Sequence, residues 1–140
     1  MTRVFAIMLA GGLGALARYG LTLFIQSQLV SRIGKSGWAT FLGPTFPLST
    51  LVINVLGSLL LAFLATLVFH RALSPEWQWI AGTGFLGAFT TWSTFSVEAE
   101  TLIHRGEWKA AGFYILGSFI LSLLAVVAGR ALAMRFIPAA

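Results

Sequence analysis

The chain has no cysteine, which excludes disulfides, iron–sulfur clusters and thiol chemistry at the outset. Charge is nearly as scarce. Only 9% of the 140 residues are charged, against roughly 25% in soluble domains. With 58% of residues hydrophobic, this is the composition of a membrane protein held together by lipid embedding. The middles of its apolar runs contain no Asp, Glu, Lys or His. That removes the intramembrane ionisable carrier a proton-coupled transporter needs. It also removes the carboxylate ring of a divalent-cation channel. Both histidines, His70 and His104, sit at segment ends, remote from the buried hydroxyls, so no nucleophile–base pair can be drawn. There is no phosphate loop and no spaced metal cluster, and the chain does not read as an enzyme. The net charge of +5 comes from bases scattered singly at segment ends, which suits lipid headgroups rather than nucleic acid.

What is there is four apolar segments, approximately 4–29, 48–69, 77–103 and 108–133, which predict a single all-α transmembrane domain of four helices. Arg3 followed by an apolar run and Ala15-Leu16-Ala17 imitates a signal peptide, but the run continues past Tyr19 to Ile25, longer than a signal core. In the first segment Ala10 and Gly14, and likewise Gly11 and Ala15, fall four apart, giving small faces that let helices approach closely. Arg18 lies well inside this run. It is either a snorkelling or salt-bridged arginine, or a positive charge in an aqueous vestibule. Gly34, Gly37, Pro44 and Pro47 punctuate a loop, where Trp38 and Phe41 suggest a short interfacial helix. Asn54 is the strongly polar residue of the second segment: interhelical glue, or an amide donor to a permeating species. Ser74-Pro75-Glu76 reads as the cap and first turn of the next helix.

The third segment is the unusual one. Gly84-Phe85-Leu86-Gly87-Ala88-Phe89-Thr90-Thr91-Trp92-Ser93-Thr94-Phe95-Ser96 is uncharged but rich in glycine, hydroxyls and rings. Glycine and clustered hydroxyls weaken a helix. A broken backbone at membrane depth is tolerated only where it is buried in protein or lines a polar cavity. A helix break is therefore expected here. In the fourth segment Tyr114, Ser118 and Ser122 recur every four residues, a stripe of hydroxyls on one helix face. Asn54, these hydroxyls and Arg18 are donors without negative charge. Aromatic edges are electropositive as well. That set suits a small anion, whereas freed carbonyls at the break suit a cation.

Four spans put both termini on one side. Arg3, Arg71, Arg130 and Arg135 then face Arg32, Lys35, Arg105 and Lys109, four against four. Orientation follows an excess of positive charge on the cytoplasmic side. Without an excess, both orientations are expected, and an antiparallel two-fold dimer closes such an arrangement.

Three stretches carry a resemblance that covers essentially the whole chain. Gly11 to Tyr19, Leu51-Val52-Ile53-Asn54-Val55-Leu56-Gly57-Ser58, and Gly84 to Glu98 resemble, in order, the first-, second- and third-helix signatures of the Fluc/CrcB family of fluoride channels. The resemblance implies a dual-topology antiparallel homodimer in the bacterial cell membrane, exporting fluoride passively through two pores. It implies a structural Na+ at the dimer centre, held by the backbone carbonyls of Gly87 and Thr90. It places the fluoride pathway at Asn54, at an aromatic pair Trp92 and Phe95, along Tyr114, Ser118 and Ser122, and at Arg18 near a vestibule. The family usually has phenylalanine where Trp92 stands; indole is larger and brings an N–H donor. Two other classes are kept beside this one. A dual-topology small multidrug-type cation exporter fits the size and charge balance but lacks the carboxylate, and would drive proton-coupled dye uptake. A non-transporting membrane scaffold would form dimers that pass no ion.

Overall fold

The computed structural model describes residues 2–30 and 45–137. Most of the loop 31–47 lies outside the described residues, including Arg32, Lys35 and the interfacial helix expected near Trp38 and Phe41. Helix α1 spans Thr2–Phe24 and widens into a π-helical turn over Ile25–Val30. Helix α2 spans Leu48–Phe69. Helix α3 is π-helical over Gln78–Leu86 and α-helical over Gly87–Phe89. Helix α4 spans Trp92–His104 and α5 spans Trp108–Met134. All described regular structure is helical. Three stretches, Thr2–Gln28, Leu48–Phe69 and Trp108–Met134, are each long and apolar enough to cross a membrane uninterrupted.

The third apolar segment is divided between α3 and α4. Thr90 (φ −80°, ψ 160°) and Thr91 (φ −151°, ψ 112°) are extended, and the helix resumes at Trp92. Helix α3 starts where the sequence placed its cap: Ser74 O accepts from Trp77 N at 3.1 Å and Pro75 O from Gln78 N at 3.1 Å. Gly106 (φ 76°) ends α4 in the left-handed conformation. There Gly106 N reaches Ile103 O at 2.9 Å and Glu107 N reaches Leu102 O at 2.9 Å, the paired bonds that close a helix on glycine. Arg71 (φ 60°) ends α2 in the same way without a glycine.

Lipid supplies little drive for apolar faces to associate, so close backbone approach at small residues has to hold the helices together. Ala10 and Gly14 of α1 are buried. A Cβ added to Gly84 of α3 would stand 2.9 Å from the Ala10 Cβ, and one added to Gly14 would run into the Phe85 carbonyl. The small face of α1 is thus spent within the protomer, on α3. A Cβ at Gly129 of α5 would enter the Leu59 carbonyl of α2, which makes α2 and α5 the most extensive helix pair. Since Leu51 lies beside Gly117, and Leu59 and Phe63 beside Gly129, these two helices run in the same direction. Helix α4 closes one end of the pair. Phe95, Ala99 and Leu102 bury against Ala110, Ala111 and Tyr114. The outer faces of α1 and α5 keep many exposed large apolar side chains, among them Leu9, Leu16, Phe119 and Val127.

Candidate functional site: a groove beside the helix interruption

The site begins with Asn54. Its Oδ1 accepts from the Thr91 backbone N–H at 2.9 Å, and its Nδ2 donates to the Thr91 carbonyl at 3.0 Å. One amide thus satisfies both backbone groups of the extended residue, which an interrupted helix would otherwise leave unpaired in an apolar surrounding. Of the two roles open to Asn54, the brace is visible; its second N–H is uncommitted to Thr91, and the residue also lines the groove described below. Gly57, one turn on, lets the Thr90 methyl lie against α2.

The diverted N–H groups have a consequence for carbonyls. In a continuous helix Thr91 N would bond Gly87 O, and Thr94 N would bond Thr90 O. Here Thr91 N goes to Asn54, and Thr94 N goes to Thr91 Oγ1 at 3.3 Å as an N-terminal cap. The carbonyls of Gly87, Ala88, Phe89 and Thr90, the last four before Thr91, all lose their helical partners. Gly87 is exposed and Thr90 half-buried. Backbone carbonyls are hard oxygen donors of the kind hard cations take. Among the described residues no cluster of three or more His, Cys, Asp or Glu side chains could hold a metal instead.

Below the interruption, a groove of about 520 Å³ runs along the seam of α2 and α5. Asn54 and Ser58 line one wall, Ser118 and Ser122 the other, with Thr90, Thr91, Trp92 and Phe95 across its end. Ser118 is buried (7% exposed), and its hydroxyl has no hydrogen-bond partner among the described residues. A buried hydroxyl without a partner is costly, by about 1–3 kcal/mol. Trp92 is 77% exposed and tilts 38° against Phe95 at a ring separation of 5.1 Å. Phe95 in turn lies 5.1 Å from Tyr114.

The hydroxyl stripe divides at this ring pair. Ser118 and Ser122 face the groove. Tyr114 is fully buried behind Phe95 and donates to Glu98 Oε2 at 2.7 Å. Thr50 donates to Glu98 Oε1 at 3.0 Å. Glu98 lines a second cavity, of about 370 Å³, with Thr45, Thr101 and Arg105. Phe95 and Tyr114 therefore stand between two cavities, the mostly apolar groove with Ser118 and Ser122 on its wall and the cavity lined by Glu98 and Thr101. The sequence reading missed Thr50 and the tie between Glu98 and Tyr114. Glu98 was visible after the interruption, but nothing in its spacing tells that residues 48 and 16 positions away donate to it.

Arg18 is half-buried on α1 and lines neither cavity. Helix α1 packs on α3 and α2, and Arg18 is not among the residues that line the groove. Gly87 also faces outward from it. The groove collects Asn54, Thr90, Trp92, Phe95, Ser118 and Ser122.

Comparison with known proteins gives a consistent result. The family described as "CrcB-like protein, Camphor Resistance (CrcB)" matches residues 5–130. A "Fluoride-specific ion channel FluC" of Saccharophagus degradans is 37% identical over 134 residues, covering 94% of this chain and 90% of that protein. "Fluoride-specific ion channel FluC 2" of Symbiobacterium thermophilum is 43% identical, covering 90% of this chain and 93% of its own length. "Fluoride-specific ion channel FluC 1" of Bacillus cereus is 44% identical, covering 86% and 82%.

Proposed function

The chain belongs to the CrcB-like family, and from that premise we propose that it is a fluoride-specific ion channel of the membrane, releasing cytoplasmic fluoride passively down its gradient. The observation that carries the reading is the Ser118 hydroxyl, buried and unpartnered at the wall of a groove that offers donors and no carboxylate. A small, strongly hydrated anion gives up water only where hydroxyl, amide and ring-edge donors replace it. Ser118, Ser122, the uncommitted Asn54 N–H and the edges of Trp92 and Phe95 form such a set. Past Phe95, the anion would meet the hydroxyls that Tyr114 and Thr50 now give to Glu98.

The assembly belongs to the same proposal. The groove is open along one side and bordered by exposed Leu116, Phe119 and Leu123. A second copy, antiparallel, would cover it and enclose the path. The balanced Lys/Arg count supports both orientations in one bilayer. The carbonyls of Gly87 and Thr90, released from helical bonding, fit a structural Na+ shared between copies, and such an ion would fix the two interruptions against one another.

The test is fluoride efflux from liposomes holding the purified protein, read by a fluoride electrode beside a chloride trace. Rapid fluoride release without chloride release is expected. Folded dimers that release neither ion, with Trp92→Phe equally silent, would sink the proposal.

A further inference from the structure

A separate cavity follows the groove along the same seam past Val126. On α2 the lining residues Asn54, Ser58 and Leu61 recur at helical spacing, and Ala65 and Phe69 continue the same face. On α5 Ser118, Ser122 and Val126 are followed one turn later by Arg130. A cavity of about 400 Å³ lies there, lined by Ala65, Thr66, Phe69, His70 and Arg130. It sits on the seam where the groove leaves off. At 1.5 Å rise per residue, Arg130 stands roughly 12 Å beyond Ser122 along α5.

The chemistry of this end differs from the other. Three of the four carboxylates in the chain, Glu98, Glu100 and Glu107, fall at the α4–α5 end, and Glu98 lines the cavity there. Among the described residues, the end where α2 and α5 finish has Glu76 as its carboxylate side chain, close enough to Arg3 to feel its charge. Arg130 has no ion pair or hydrogen bond among the described residues. Three of the last four carbonyls of α2, which would repel an anion, are already covered. Thr66 O accepts from His70 N at 3.0 Å, Leu67 O from Ala72 N at 2.9 Å, and Val68 O from Arg71 N at 3.0 Å.

We infer that the Arg130 cavity is a positive mouth of the fluoride path: its guanidinium, with His70 beside it, concentrates the small anion at the end of the α2–α5 groove. This rests on the fluoride-channel reading and adds a charged rate-setting residue to it. A fixed charge at a low-dielectric opening raises local counter-ion concentration and is screened by salt. A merely structural or dipole-compensating arginine would not confer that salt dependence on flux.

The experiment compares wild type, Arg130→Gln and Arg130→Lys in phosphatidylcholine vesicles, with fluoride efflux read at about 10 mM and about 1 M of an impermeant salt, where the screening length is roughly 30 Å and 3 Å. Since whole charged clefts change rates by 10–10³, one charge should be worth roughly three- to tenfold. Arg130→Gln is expected to be slower by that factor at low salt and equal to wild type at high salt, with Arg130→Lys close to wild type throughout. Equal efflux of Arg130→Gln and wild type at low salt overturns the inference. So does a deficit of the same size at both salts, which marks a packing role. A repeat in vesicles containing phosphatidylglycerol separates the sources of anion: a deficit seen only there assigns the arginine to a lipid phosphate and overturns the mouth. Wild type that releases no fluoride at either salt overturns the channel reading itself, an outcome distinct from the other three.

Discussion

Asn54→Ala should loosen the helix interruption before it alters anything else. The side chain supplies the acceptor for Thr91 N–H at 2.9 Å and the donor for Thr91 C=O at 3.0 Å. Interhelical hydrogen bonds in membranes average about 0.6 kcal/mol and reach about 1.7, so two bonds to one peptide unit at about 1 kcal/mol each give about 2 kcal/mol. At 1.4 kcal/mol per factor of ten, that is a roughly 30-fold gain in the population of the locally opened state. Thr91 N–H is buried and Asn54 is its acceptor, so amide hydrogen exchange reads the loss directly. Fragments covering 90–94 should exchange about 30-fold faster in Asn54→Ala, while fragments within α5 keep wild-type rates. Asn54→Asp splits the two roles. It keeps the acceptor for Thr91 N–H but loses the donor and places negative charge at the groove. Exchange at Thr91 should then rise by less than about tenfold, one bond's worth, while fluoride efflux falls much further. Exchange in Asn54→Ala within about threefold of wild type would refute the bracing argument, because less than one average bond would then be at stake.

The remaining predictions concern the groove and its walls. Ser118→Ala removes a hydroxyl that has no partner, so thermal stability in detergent should hold or rise by about 1 kcal/mol while fluoride efflux slows. A clear loss of stability would show instead that Ser118 is bonded. Phe95→Ile keeps bulk but deletes the ring edges between the two cavities, and efflux should fall at least about tenfold, about 1.4 kcal/mol in barrier, with the elution volume of the purified protein unchanged. Glu98→Gln leaves one acceptor oxygen for two donating hydroxyls, Thr50 and Tyr114; a loss of about 1–3 kcal/mol is expected on thermal unfolding, and Thr50→Val in the same background should recover part of it. Gly129→Leu drives a side chain into the Leu59 carbonyl, so the α2–α5 pair should fail to form and the protein should not survive extraction as a folded species.

The hydroxyl stripe shows where sequence periodicity was enough and where it stopped. Spacing by four put Tyr114, Ser118 and Ser122 on one face of α5, and they are there. Spacing carries no information about what lies opposite. Phe95 covers Tyr114 while Ser118 and Ser122 line the groove, so the stripe divides between a buried bond to Glu98 and a cavity wall. Arg18 shows the same limit. Its depth in an apolar run was legible, but the wall it stands on was fixed by the burial of Ala10 and Gly14 against α3. For Asn54 the two readings could not be parted from the sequence, because the answer is a contact with Thr91, 37 residues away.

The chain's own composition determined its solvent and its helical class. Runs this long and apolar, almost free of charge, belong in a bilayer, where only internally bonded backbone survives. Local chemistry also marked the weak point of the third segment, since glycines and hydroxyls disfavour helix whatever surrounds them. Tertiary structure alone decided that Asn54 would hold Thr91 and that Thr50 and Tyr114 would share Glu98. Each of these joins residues far apart along the chain. The helix approaches that bring them together are set by side-chain volume at Gly14, Gly57 and Gly129, which periodicity does not record.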